Sequence, residues 1–364
     1  MVFYIVLFGL ALLLCFLSAY DLTQKKRKAT PDIDLFAASA LLLIAAMGFR
    51  EGVGTDYYDV YVAGYETFTT TGQSRFEPGF TLLMRLVSAI GGDYHVLFYV
   101  VGLLTIGLVY RAIYMQSPLP VWSVFIFLVG GFFFFSTNGI RQALAVAILM
   151  NSLPFALEKR PLEFFLIVGL AATVHASAVV FAPLVFLTRV KLSVGKASLS
   201  LALTVICSGV SASIMIEVAG FLSPQIARYI NNEGLANRYL AAGDYDFSDL
   251  ILCLVPLVMF LATDRYRSSD DAKTAFLFLP VFLGVLACAL SGSMALFSRV
   301  AQYFTPFCIL AVPQLFSSLD KMPLQRLRAL KVAYALFCIC SCVYLFGLLN
   351  FSRVVPYAFM FDFH

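Results

Sequence analysis

Apolar runs of 16 to 22 residues, divided by short polar joints, recur along the whole chain. A helix needs roughly 20 apolar residues to cross a bilayer core. Strands of a membrane barrel would instead alternate apolar and polar over about ten residues. The pattern predicts an all-α polytopic membrane protein, with spans near 2–20, 34–49, 94–113, 121–136, 140–157, 162–174, 176–188, 198–219, 249–263, 274–292, 299–317 and 332–349. These make twelve crossings. Residues 79–91 are apolar but too short to span comfortably, and enclose Arg85. They are expected as an interfacial or re-entrant helix.

Composition narrows the reading. Of 364 residues, 61% are hydrophobic and 13% charged. A soluble fold would need far more polar surface, and no stretch is long enough for a separate soluble domain. A single integral membrane domain over 1–364 is expected, with long polar loops near 50–92 and 220–248. The eight cysteines lie in apolar runs without metal-ligand spacing, so they read as buried small hydrophobes outside disulfides. Basic residues are dispersed, which gives no signal for nucleic acid. The expected surroundings are the lipid bilayer.

Lysine and arginine favour cytoplasmic loops. The first run has no basic residue before it and Lys25, Lys26, Arg27 and Lys28 after it, the reverse of a signal peptide. It is therefore expected as an uncleaved span with its N-terminus outside, and twelve crossings place the C-terminus outside too. That orientation puts 17 of the 25 basic residues inside, including all nine lysines. The outer set is Arg50, Arg75, Arg85, Arg141, Arg228, Arg238, Arg299 and Arg353. A guanidinium is the better fork for phosphate or carboxylate, so the outer face reads as built for anions. The alternative is that single arginines snorkel at helix ends.

Segment 161–188 has basic flanks at both ends and only about 28 residues between. Two crossings of about 13 residues reach roughly 20 Å each. A short hairpin or broken pair follows, with "HASA" at its tip and His175 in a cavity open to the outer side. Such backbone is tolerated at depth only where it lines protein or water.

Ionisable groups in or at the membrane are costly and usually functional. The candidates are Arg50, Asp56, Arg75, Glu77, Arg141, His175 and Arg299. Each has a plainer reading. Asp56 in "VGTDYYDVY" could be a base, an ion-pair partner or a turn residue. Glu77 in "RFEPGF" could be the N-terminal charge of a helix that starts at Pro78. His175 could be a satisfied buried histidine. His95 and His364 have weaker contexts. No Walker, dinucleotide or zinc motif is present, and "DYD" at 244–246 is weak evidence for a metal. Neither a metal nor a cofactor is expected.

"FREGVGTDYYDVY", "FEPGFTLL", "IRQALA", "HASA", "SRVAQYF" and "VVPY" occur in that order. Together they resemble the EpsG family of exopolysaccharide polymerases, related in role to Wzy O-antigen polymerases, over residues 40–358. The matching positions are Arg50, Gly54, Asp56, Tyr57, Glu77, Pro78, Arg141, Gln142, His175, Ser177, Arg299 and Tyr303. The resemblance implies a bacterial inner-membrane glycosyltransferase that joins undecaprenyl-diphosphate-linked repeats on the periplasmic face. By analogy its fold would be of the membrane-embedded lipid-sugar transferase (GT-C) kind. Arg141 and Arg299, with Arg50 and Arg75 nearby, would neutralise the diphosphate leaving group. Gln142, Tyr57 and Tyr303 would complete the binding set, and the tyrosine-rich loop would stack on sugar faces. His175 is the first choice of general base, Asp56 or Glu77 the second. A chain-length regulator and a flippase are the expected partners. The alternatives are a flippase for the same lipid-linked sugars, which would show internal repeats and midplane charges, and a ligase differing only in acceptor.

Overall fold

The computed structural model describes residues 1–21, 26–27, 31–188, 190, 192–210, 247–267, 272–292 and 294–361. Nearly all of the second long loop, with Arg228, Arg238 and "DYD", lies outside the described residues.

The protein is an all-α polytopic membrane protein. Six described helices are long and apolar enough to cross a membrane, and a bent pair makes a seventh. Five shorter apolar helices join them. The bent pair is α6 (Pro120–Val129) and α7 (Phe132–Asn138), which meet at 52°. Gly131 sits at the break with φ 93°, a conformation that a side chain disfavours. The single run read at 121–136 is thus a broken one.

The described residues form two compact units, although the sequence offers no boundary, since both are built of similar apolar helices. Unit one comprises Met1–Val185, Val312–Ser317 and Pro323–His364. Unit two comprises Phe186–Ala311 and Ser318–Met322.

In unit one, α1 (Val2–Ala19) packs on α2 (Ile33–Gly48), and α2 packs on α5 (Tyr94–Gln116). Next come α8 (Ile140–Met150), α10 (Pro161–Val174) and α4 (Pro78–Ala89), each packed on the one before. Small and hydroxyl residues bring these helices close, as lipid-embedded packing requires. A Cβ at Gly102 would lie 3.2 Å from the Met47 side chain. Ser39 donates to the Ala11 carbonyl at 2.8 Å or shares a 2.8 Å bond with the Tyr110 hydroxyl, linking α1, α2 and α5. Asp32 caps α2 by accepting from the Asp34 and Leu35 amides, a contribution of about 1 kcal/mol. Unit two contains α11 (Val194–Val210), α12 (Phe247–Ala262), α13 (Ala272–Leu290) and α14 (Leu296–Ala301), with α13 packed against the other three.

Two local expectations concern the site directly. The short helix read at 79–91 is α4, which buries Phe80, Met84 and Val87 and exposes Leu82, Leu86 and Ile90. The broken pair read at 161–188 is α10 followed by a 3₁₀ helix over Ala176–Leu187. His175 stands between them in extended conformation. Phe164 and Phe181 stack with ring centroids 6.2 Å apart, so the chain folds back at His175. Residues 17 apart on one straight helix would be about 25 Å apart.

Of the seven cysteines whose side chains are described, six are buried, and all seven are free thiols. Cys340 is exposed on the apolar helix Leu324–Cys342.

Candidate functional site

The segment 49–66 leads from α2 into a π-helical turn, Tyr57–Val62, and on into α3 (Ala63–Thr71). Tyr57, Tyr61 and Tyr65 recur at every fourth position and turn inward, with exposures of 2%, 4% and 3%. This is the spacing of one helical face. Tyr58 alone among the four tyrosines faces out, at 51%. Tyr57, expected in the substrate-binding set, is thus buried in the core and not on the outer face. Its ring stacks on Phe98 at 4.6 Å, and its hydroxyl donates to the Arg50 carbonyl or Glu51, both at 3.1 Å.

Arg50 is likewise not a surface anion ligand. It is fully buried, lies over the Phe98 ring at 4.4 Å and donates from Nη1 to the Met47 carbonyl, which α2 leaves open at its end. Burial pushes its guanidinium down to about 10, against the opposing pull of the Tyr57, Tyr357, Tyr4 and Tyr61 phenols. Asp56 opens the π turn half-buried, and its backbone N–H donates to Asn138 Oδ1 at 3.0 Å.

Three of the remaining candidates meet at one carboxylate. Glu77 precedes α4 at the N-cap, with Pro78 in the first helical position. Its side chain makes no capping bond. It reaches instead to the α10 turn, where Oε1 lies 2.9 Å from His175 Nδ1 and accepts the Ala176 N–H at 3.1 Å. Its other oxygen, Oε2, accepts from Arg141 Nη1 at the start of α8. An ionised carboxylate only accepts, so the His175 proton sits on Nδ1 and the basic lone pair on Nε2. This is the orienting arrangement by which a carboxylate sets the tautomer of a catalytic imidazole.

Arg141 is held on several sides. Its guanidinium lies over the Phe76 ring at 4.6 Å, and that ring stacks on Tyr61 with centroids 6.2 Å apart. Its Nε is buried with no hydrogen-bond partner among the described residues. Exposed Arg75 uses the same ring, at 5.4 Å, while its Nη2 donates to the Asp59 and Val60 carbonyls at 3.1 and 2.9 Å. Two guanidinium groups thus share one aromatic residue. Burial would raise the Glu77 carboxyl. The His175 hydrogen bond, the Arg141 charge, the charge that His175 carries when doubly protonated and the Ala176 N–H outweigh it and hold Glu77 at about 2. Glu77 lies outside the apolar helices.

Beside these, Gln142 is buried on α8. Arg299, exposed on α14, and fully buried Tyr303 belong to unit two.

Several contributors were not singled out from sequence. Tyr61 and Phe76 could have been found from the Tyr57/Tyr61/Tyr65 spacing and from the aromatic beside Glu77. Gly79 is a close-approach position, where an added Cβ would lie 2.8 Å from the Thr173 carbonyl oxygen and 2.9 Å from its carbon. His95, read as weak, has Nε2 2.7 Å from Glu51 Oε2 and Nδ1 3.0 Å from Asp93 Oδ2. The signal there was Asp93, two positions ahead.

The EpsG family model matches residues 34–359. No curated protein and no solved structure matches the chain.

Two outcomes follow from this geometry. Gly79→Ala forces α4 away from α10 and lowers the thermal midpoint of the purified protein, at the ~1–3 kcal/mol typical of overpacking. Adding Thr173→Ala removes the nearest contact, Thr173 Oγ1, but does not fully restore the midpoint, because the backbone carbonyl oxygen and carbon still lie within 3.0 Å of the added Cβ; full restoration would contradict the close backbone approach. The second outcome concerns acid. A carboxylate whose folded pKa lies below its unfolded value stabilises the fold above the unfolded value and loses that stabilisation as pH falls through the folded one. The stability difference between wild type and Glu77→Gln is therefore full above pH 4.5 and shrinks as pH drops towards about 2. Melting curves across that range check it; a difference that stays constant would contradict the account.

Proposed function

Because the chain belongs to the EpsG family, a family of the exopolysaccharide and O-antigen polymerase type, we propose that it is the integral membrane glycosyltransferase of such a pathway. It joins undecaprenyl-diphosphate-linked repeat units on the periplasmic side of the bacterial inner membrane, with both termini on that side. The observation that carries this reading is the Glu77 carboxylate shared by His175 and Arg141. A general base and a cation are held by one group, which is what transfer from a lipid diphosphate to a hydroxyl requires.

In the reaction, the acceptor hydroxyl gives its proton to His175 Nε2 as its oxygen attacks the anomeric carbon of the donor sugar. The bond from that carbon to the diphosphate oxygen breaks, and its electron pair leaves with the lipid diphosphate. Glu77 stays ionised throughout. It is a positioning residue that stabilises the imidazolium formed on His175, rather than the base. Arg141 and Arg75, both against the Phe76 ring, receive the developing charge. The Arg141 side chain keeps 19% of its surface exposed, which leaves part of the guanidinium open to a phosphate oxygen. Arginine fits this role because it offers several donors in a fixed plane. Asp56 remains the next choice of base, and a chain-length regulator and flippase the expected partners.

His175→Ala and His175→Gln are expected to assemble normally and to leave single repeats on the lipid carrier. The loss is on the order of 10²–10⁴-fold, the usual contribution of a general base. Purified variants given lipid-linked repeats decide it. If His175→Gln polymerises near the wild-type rate while His175→Ala misfolds, the histidine is structural and the base lies elsewhere.

A further inference from the structure

The array around Glu51 takes no part in the chemistry above. Glu51 accepts the Tyr58 hydroxyl at 2.6 Å on Oε1 and the Tyr57 hydroxyl at 3.1 Å on Oε2. His95 Nε2 lies 2.7 Å from the same Oε2, and its Nδ1 lies 3.0 Å from Asp93. The imidazole lies tilted against the Tyr94 ring, with centroids 4.1 Å apart. A row of Asp93, His95, Glu51 and Tyr58 results, with every member held by its neighbour.

Tyr58 is the exposed end of that row. Its ring rests edge-on against Tyr57 at 4.8 Å and lies against the backbone of Gly52, whose φ is 62°. A Cβ at Gly52 would meet the Tyr58 ring at 3.2 Å. The ring is therefore fixed by its hydroxyl, its edge and the backbone beneath, and yet remains half open to solvent. A rigid, amphipathic aromatic surface gives contact area at low entropic cost. Beside it, the Glu51 and Asp93 side chains keep 27% and 60% of their surface exposed, offering acceptors to hydroxyl groups.

Charge decides the kind of ligand. Phosphate groups are repelled from a surface that presents two carboxylates. The arginines lie at the other end of the same turn. Tyr58 and Tyr61 belong to one six-residue π turn; Arg75 donates to the Val60 carbonyl within it at 2.9 Å, and Tyr61 stacks at 6.2 Å on Phe76, the ring that carries Arg141. Three helical residues span less than about 5 Å along the axis. The turn thus separates an acceptor-rich pole, at Tyr58 and Glu51, from a cationic pole, at Arg141 and Arg75.

We propose that Tyr58, with Glu51 beside it, is a subsite for a neutral sugar ring of the lipid-linked glycan, and that the π turn orients the substrate by holding its sugar and its diphosphate at opposite ends. This rests on the transferase reading given above. Tyr58 touches a sugar away from the bond that reacts and takes no part in proton transfer.

The test is direct binding, separate from turnover. The probe is single repeats prepared by depolymerising the polysaccharide of cells that carry the protein. Saturation-transfer NMR on the detergent-purified full chain measures their affinity. Wild type and Tyr58→Phe are expected to bind within about threefold of each other, while Tyr58→Ala weakens binding by roughly tenfold or more. Its thermal midpoint should be unchanged, since half of the side chain is already exposed. Inorganic pyrophosphate should not displace the repeat from wild type. Unaltered affinity in Tyr58→Ala, displacement by pyrophosphate, or no saturable binding to wild type would each overturn the subsite. Failure of the transferase reading has a different signature: wild-type protein that binds the repeats through Tyr58 but joins none when they are lipid-linked.

Discussion

One carboxylate holds the site together. Glu77 meets an imidazole with one oxygen and a guanidinium with the other, and so ties together the starts of α4 and α8 and the end of α10. Each partner would be costly alone at a membrane surface. A half-buried cation or carboxylate without its counter-charge loses solvation that nothing replaces. Paired, they hold the imidazole proton at Nδ1 and keep the guanidinium over the Phe76 ring. The packing beneath serves that contact. Gly79 lets α4 lie on the Thr173 backbone, and the fold-back at His175 leaves the imidazole at a helix end instead of along a lipid-facing side.

The wider arrangement follows from the same economy of charge. The 49–66 segment is polar in composition, but the fold sorts its residues. The phenols at every fourth position enter the core, and Arg50 enters with them, over aromatic rings and beneath an open helix carbonyl. The carboxylates and Tyr58 stay at the surface. The turn separates acceptors from cations, and a lipid-linked sugar has the same polarity along its length.

How far this was legible from sequence depended on the range of the interaction. Helix content and the break at His175 follow from apolar run length and from the basic flanks of 161–188, which are local properties. Glu77, Arg141 and His175 stood out as ionisable groups in an apolar chain. Their convergence could not be read, because Glu77 and His175 are 98 residues apart and meet only through the packing of α4 on α10. The errors share one cause. By residue type Tyr57 and Arg50 suit a polar surface, whereas the four-residue period of the tyrosines points Tyr57 inward and Arg50 is buried with it. His95 was passed over because its partner Glu51 lies 44 residues earlier.

The central claim is that Glu77 sets the tautomer of His175, and nitrogen NMR tests it most directly. The chain carries three histidines, so uniform ¹⁵N-histidine labelling gives three pairs of ring signals, and a His175→Gln sample identifies the pair that disappears. At neutral pH a protonated Nδ1 and an unprotonated Nε2 are expected in wild type, with that preference lost in Glu77→Gln. A proton on Nε2 with a bare Nδ1, or a tautomer unchanged by Glu77→Gln, would contradict it.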